Sequence, residues 1–433
     1  MLRLERLEEV DGLSYSEQAL AELQKNDLEK AKHNFNLALR HDDDNTIYSL
    51  GEELYALGFL RQARRVFEKL LQKYPDEDEL RTKLADIDVS DGKTDAAIEL
   101  LAAIKPESDA YAEALLTSAD VYQTMGLYEV SEQKLLEGLR RYPDEPVMKF
   151  ALGELYSVMG DYQKASGYYE TLLDDGVTEM ANVQIEARLG AAYAGSGQYE
   201  DAIAAYEKMP QIALTPDDQF QLGFLYLQIK EYERSIKILE QLRQSNPDYS
   251  SLYTPLAQGL MHQQKLAEAL QVVQQGLGVD DFNEVLALLG GQIAIQLHQT
   301  DVAEKLLKKA LTINSESMAA TLALSQLYLD QERDDENIAL LKQLNEQGDV
   351  NPQVHWNLAI SQARLEQDDA AEENYLLAYD AFKDNTDFLR QLITFFQARG
   401  KRTETLAALK RYVKLAPEDL EMQNLLDDYQ NES

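Results

Sequence analysis

Apolar residues along this chain return at helical rather than strand spacing, three, four and seven positions apart, with turn residues breaking the pattern at regular intervals. The stretch "ALGELYSVMGDYQKASGYYETLL" (151–173) shows the grammar: Leu152, Gly153, Tyr156, Gly160, Tyr162, Ala165, Tyr169 and Leu172. The same order recurs 34 residues earlier at Ser118, Ala119, Tyr122, Gly126, Tyr128, Ser131 and Leu135. It recurs 37 residues later at Leu189, Gly190, Tyr193, Gly197, Tyr199, Ala202 and Tyr206. Each statement predicts two helices. The Gly after the aromatic ends the first, since glycine tolerates the left-handed backbone of a helix C-terminus. A small residue five positions on lets the second helix approach closely. A proline such as Pro75 or Pro247 stops it. Such a hairpin cannot cover its own apolar face, so neighbours must stack.

The repeat resembles the tetratricopeptide repeat (TPR), whose period is about 34 residues. Twelve units are predicted, beginning near residues 12, 44, 78, 112, 146, 183, 216, 250, 284, 318, 352 and 386. Units two and four to seven carry the pattern most fully. The resemblance implies an all-α fold, an α-solenoid of helical hairpins wound as a right-handed superhelix. "EDLEMQNLLDDYQNES" supplies a C-terminal capping helix through Leu420, Met422, Leu425, Leu426 and Tyr429. The predicted organisation is a leader (1–11), an N-terminal arm of units one to seven (12–249), a C-terminal arm of units eight to twelve (250–417), and the cap with its tail (418–433).

Three irregularities stand out. "LDDGVTEMAN" (173–182) adds residues between units five and six and is expected to form a longer loop. Pro255 predicts a late start for the first helix of unit eight, with Thr254 as N-cap. Gly290 and Gly291 fall inside a helix of unit nine, so units eight and nine are either a soft joint or merely local variation.

Composition narrows the function. The net charge of −36 disfavours phosphate backbones and anionic membrane surfaces, and favours basic or amphipathic partners. There is no cysteine, which excludes thiol chemistry and thiolate metal sites and fits a reducing, cytoplasmic setting. No signal peptide or membrane-spanning stretch is legible. The five histidines lie apart without a metal-binding spacing, "HDDDN" (41–45) lacks the form of a calcium loop, and "ARGKRTET" lacks the earlier glycine of a phosphate loop. No cofactor, metal or catalytic residue is predicted. The repeats occupy almost the whole sequence, so an enzyme is disfavoured.

In proteins this sequence resembles, ligands bind the concave groove lined by the first helices. Position 9 of successive units reads Glu52, Asp86, Asp120 and Glu154, an expected acidic ladder for Lys and Arg side chains. Further on, Phe220, Phe224, Leu227, Met261, Ile295, Leu329 and Trp356 form an apolar stretch interleaved with Gln258, Gln292 and Gln326, suited to a peptide. The family's carboxylate clamp for chaperone tails is not matched: no unit pairs Lys at position 5 with Asn at position 9, and Asn357 and Arg390 stand without companions. The expected function is a non-catalytic scaffold or adaptor binding protein or peptide partners. The alternative is a peptide-sensing receptor whose superhelix tightens on its ligand. Self-association into a homo-oligomer is compatible with the sequence but not indicated by it.

Overall fold

The computed structural model describes residues 12–345 and 351–431; the leader 1–11 lies outside them. Among these residues run 25 α-helices, arranged as twelve antiparallel hairpins and a last helix. The first helices of the hairpins are Tyr15–Gln24, Asp44–Ala56, Asp78–Ser90, Tyr111–Thr124, Pro146–Met159, Ile185–Gly195, Pro216–Gln228, Tyr253–His262, Glu284–Gln296, Met318–Asp330, Pro352–Arg364 and Thr386–Ala398. These starts fall within three residues of the predicted ones. The final helix is Leu420–Asn431, and Met422 is its buried anchor.

One backbone device makes every hairpin. After each first helix a residue turns left-handed, and the next N–H reaches back five residues, as Asp161 does to the Tyr156 carbonyl (2.9 Å). Glycine holds this place six times, at Gly58, Gly92, Gly126, Gly160, Gly197 and Gly400, with φ between 66° and 79°. Asn26, Lys230, Gln264, His298, Glu332 and Glu366 adopt the same conformation with φ between 56° and 64°. Six units thus keep the turn after losing its glycine.

Packing inside a hairpin rests on the absence of side-chain bulk. A Cβ on Gly153 would lie 2.6 Å from the Tyr169 ring, and one on Gly190 would lie 2.7 Å from the Tyr206 ring. Tyr156, Tyr169 and Tyr206 are buried, so the tyrosines of the repeat are core residues. Ala63, Ala97, Ser131, Ala165, Ala202, Ser235, Ala269 and Ala303 hold the small position of the second helix with no exposed surface.

The chain divides into two compact units, one ending at Ala213 and the other beginning at Leu214. In the first, apolar clusters follow one another along units one to six. In the second, a single core joins units seven to ten from Leu239 to Tyr328, and another joins units eleven and twelve to the final helix.

The three irregularities resolve in physical terms. The extra residues between units five and six fold as a two-residue β-hairpin, Glu179–Met180 with Val183–Gln184, its turn made by Ala181 and Asn182 at positive φ. The first helix of unit eight starts at Tyr253, earlier than expected, and Leu252 rather than Thr254 is its N-cap. Pro255 sits in the first turn, where its missing N–H would have had no partner within the helix. A Cβ on Gly290 or Gly291 would lie 2.6 Å from Val273 or Leu307, so these glycines permit close approach within the unbroken core of units seven to ten.

Candidate functional site

The first helices carry two groups of candidate residues. In units two to five, Glu52 and Asp120 are exposed, while Asp86 and Glu154 are half-buried. The rungs differ in what faces them. Lys83 of unit three comes to 4.0 Å from Glu52, which also accepts the Tyr48 hydroxyl at 3.4 Å. Glu154 accepts the Tyr169 hydroxyl (2.6 Å) and pairs with Arg188 of unit six (3.0 Å). The two outer rungs therefore already hold cations of their own chain.

Asp86 is different. Burial pushes its carboxyl up to about 6, and the negative charges of Glu113 and then Asp120 add to the shift against the opposing Lys83 and the Thr117 hydroxyl. Glu113 stands in the first turn of its helix and is exposed. It joins Asp86 and Asp120 in one electrostatic group. Its position in the unit, second from the start, points to the same face as position 9, which is the signal that could have singled it out.

The second group lies in units seven to twelve. Phe220 stacks on Phe224 (6.2 Å between ring centres) and leans on Tyr249 (5.5 Å), leaving Phe224 38% exposed. Gln258 is half-buried, Gln292 is exposed, and Met261 and Ile295 lie partly buried against the core. Leu227 and Leu329 are 8% and 4% exposed, so both belong to the core and offer a partner almost no surface. Their helices bury a wider stripe than spacing suggested, because each is packed by the units on either side.

Trp356 is half-buried. Its indole N–H donates to Gln391 (2.7 Å), and its ring meets Phe382 at 4.9 Å and Phe388 edge-on at 5.3 Å. A cavity of about 430 Å³ opens beside it, with Gln326, Gln353, Arg364, Arg390 and Gln391 in its walls. A second of about 520 Å³, which shares Ile360, Arg364, Arg390 and Gln391, continues toward Phe395. Gln326 donates to Asp330 (2.7 Å). Arg364 donates to the Leu329 carbonyl (2.9 Å), and Arg390 to the Tyr412 hydroxyl (2.9 Å) with Asp419 alongside. Besides apolar residues such as Ile360 and Phe395 and the expected Gln326, these walls carry guanidinium groups and the carboxylates of Asp330, Asp368 and Asp387.

The helix that bears Trp356 is fixed by a buried polar seam. Asn337 occupies the small position of unit ten with no exposed surface and donates to Ser361 (2.9 Å), which donates to Asp334 (2.7 Å). Asn357 donates to Ser325 (2.8 Å). These directional bonds set the register of the helix more tightly than apolar contact alone would.

Comparison with known proteins gives this solenoid its place. Family models match along the chain: "YpiA-like, tetratricopeptide repeats" at 123–177 and "YpiA-like, C-terminal tetratricopeptide repeats" at 352–419. General tetratricopeptide-repeat models match 54–119, 219–249 and 294–365. The TPR repeat-containing protein YpiA of Bacillus subtilis (strain 168) is 33% identical over 383 residues, covering 88% of this chain and 90% of the relative. Human tetratricopeptide repeat protein 21A is 24% identical over 395 residues, which cover 82% of this chain but only 29% of that much longer protein. Among solved structures, a tetratricopeptide repeat protein from Parabacteroides merdae superposes with a TM-score of 0.41 at 18% identity, over 61% of this chain and 98% of that one. The chain belongs to the YpiA-like tetratricopeptide-repeat proteins.

Proposed function

We propose that this chain is a non-catalytic scaffold of the cytoplasm that holds protein or peptide partners on the faces of its first helices. Membership of a tetratricopeptide-repeat family supports protein–protein interaction as the general function. The finer reading is a basic segment on units three and four and an extended peptide along the amide-rich cavities beside Trp356.

The observation that carries the basic-segment reading is the Asp86, Glu113 and Asp120 group. Burial first, and then the negative charges of Glu113 and Asp120, hold the Asp86 carboxyl up at about 6, against the opposing Lys83 and the Thr117 hydroxyl. A Lys or Arg side chain entering there would relieve that repulsion and form charge-assisted hydrogen bonds. Glu52 and Glu154, already paired, would frame the site rather than bind. No helix among the described residues is long and apolar enough to cross a membrane.

The test is affinity capture with wild type beside Glu113→Lys/Asp120→Lys, both substitutions falling on exposed side chains. Loss of partners from the variant, with its melting curve unchanged, is the expected result. An unchanged partner set would remove units three and four as the binding site.

A further inference from the structure

We propose that the second helices of units one and two form a separate docking surface for an acidic amphipathic helix of a partner protein. The inference goes beyond the first-helix reading and does not depend on it. A cavity of about 320 Å³ opens between these helices, with Leu23, Phe35, Leu54 and Phe59 in its lining. Leu28 stands at its edge with 55% of its surface exposed.

The charge around it is opposite to that of the protein. Helix Leu60–Lys73 carries five Lys or Arg side chains against one carboxylate, and Leu28–His41 carries three against one, within a chain of net charge −36. Lys32, Arg61 and Arg65 line the cavity, where Glu29 is the one carboxylate in the lining. Lys32 and Arg61 form no ion pair with any described residue; Arg61 adds to the field on Asp91 without pairing with it. Among the described residues Arg65 reaches the Asn36 amide oxygen (3.1 Å) and the face of Phe35 (5.0 Å) and pairs with no carboxylate. Other cations of the same two helices are met by carboxylates of their own chain: Arg64 by Asp88, Lys73 by Asp44 and Lys30 by Asp27. Cations left without carboxylates in so acidic a protein point to carboxylates supplied from outside.

The chemistry selects the partner. An apolar recess rimmed by cations suits a helix with leucines on one face and glutamates beside them, the helix-in-groove mode of recognition. A phosphate backbone would use the cations but not the apolar recess, whereas a helix with leucines on one face uses both. One arm would then present faces of opposite sign and hold a basic and an acidic partner together.

The test uses the full chain and a fluorescein-labelled peptide with leucines at i, i+3 and i+7 among glutamates, read by anisotropy. Saturable binding is expected, weakened about tenfold by Arg61→Glu/Arg65→Glu and by raising the salt to about 0.5 M. Glu373→Gln, at an exposed position of the second helix of unit eleven, should leave it unchanged. Lys32→Glu is the second variant should the double reversal melt early. Absence of saturable binding would overturn the proposal. So would equal binding of a scrambled peptide of the same charge, equal affinity in both folded variants, or tighter binding of phosphatidylglycerol vesicles or oligodeoxythymidine than of the peptide.

Discussion

Six of the twelve hairpin turns place a residue with a side chain in the left-handed region, where glycine alone is at ease. These residues sit in unit one and in units seven to eleven, and in units one and eight to eleven the missing glycine is part of why the repeat fades from the sequence while the fold does not. Gln264→Gly and Glu332→Gly should each stabilise the protein by about 0.5–1 kcal/mol, read from urea unfolding. Asp86 gives a prediction of opposite kind. Its folded carboxyl titrates near 6 against an ordinary 3.8. The native state therefore binds the proton more tightly, and the associated stability, full below 3.8, is lost as pH rises through about 6. Asp86→Asn should leave stability near pH 3.5 unchanged and raise it at pH 7–8 by about 1 kcal/mol, allowing for the solvent that still reaches the carboxyl. Thermal melts at the two pH values check the sign. Of the site, the sequence made the acidic positions legible but not their inequality. That Glu52 and Glu154 face Lys83 and Arg188 depends on contacts between successive units, which spacing within one unit does not report.

At the scale of the element, most of what makes a hairpin was legible. The Gly of the first helix and the large residue four positions after the small one in the second are the two sides of one contact, as Gly153 and Tyr169 or Gly190 and Tyr206 are, and their separation in sequence is set by helix geometry. Gly153→Ala would drive a methyl into the Tyr169 ring and should cost about 1–3 kcal/mol, measurable by chemical denaturation. What could not be read was the tolerance of a helix start. Pro255 is accommodated three residues into its helix because the first turn has N–H groups to spare. Nor could spacing tell close packing from looseness at Gly290 and Gly291, since the answer lies on Val273 and Leu307 of the facing helices. The width of the buried stripe was misjudged for the same reason at Leu227 and Leu329, which neighbouring units cover.

For the whole molecule, sign and placement of charge matter more than its total. The net charge of −36 reads as uniform repulsion of anions. Its distribution is uneven. Carboxylates gather around Asp86 on the first helices of units three and four, while cations gather on the second helices of units one and two. Binding that depends on net charge alone would respond equally to any two reversals. Binding at a site would not. The most direct measurement compares a labelled lysine-rich peptide on three full-length proteins of known fold: wild type, Glu113→Lys/Asp120→Lys, and a control of equal net charge, Glu200→Lys/Glu373→Lys, at exposed positions of second helices. The account predicts a loss of about tenfold in the first variant and under about twofold in the control. Equal losses in the two variants would contradict it, leaving attraction of the basic peptide to net charge and not to a site.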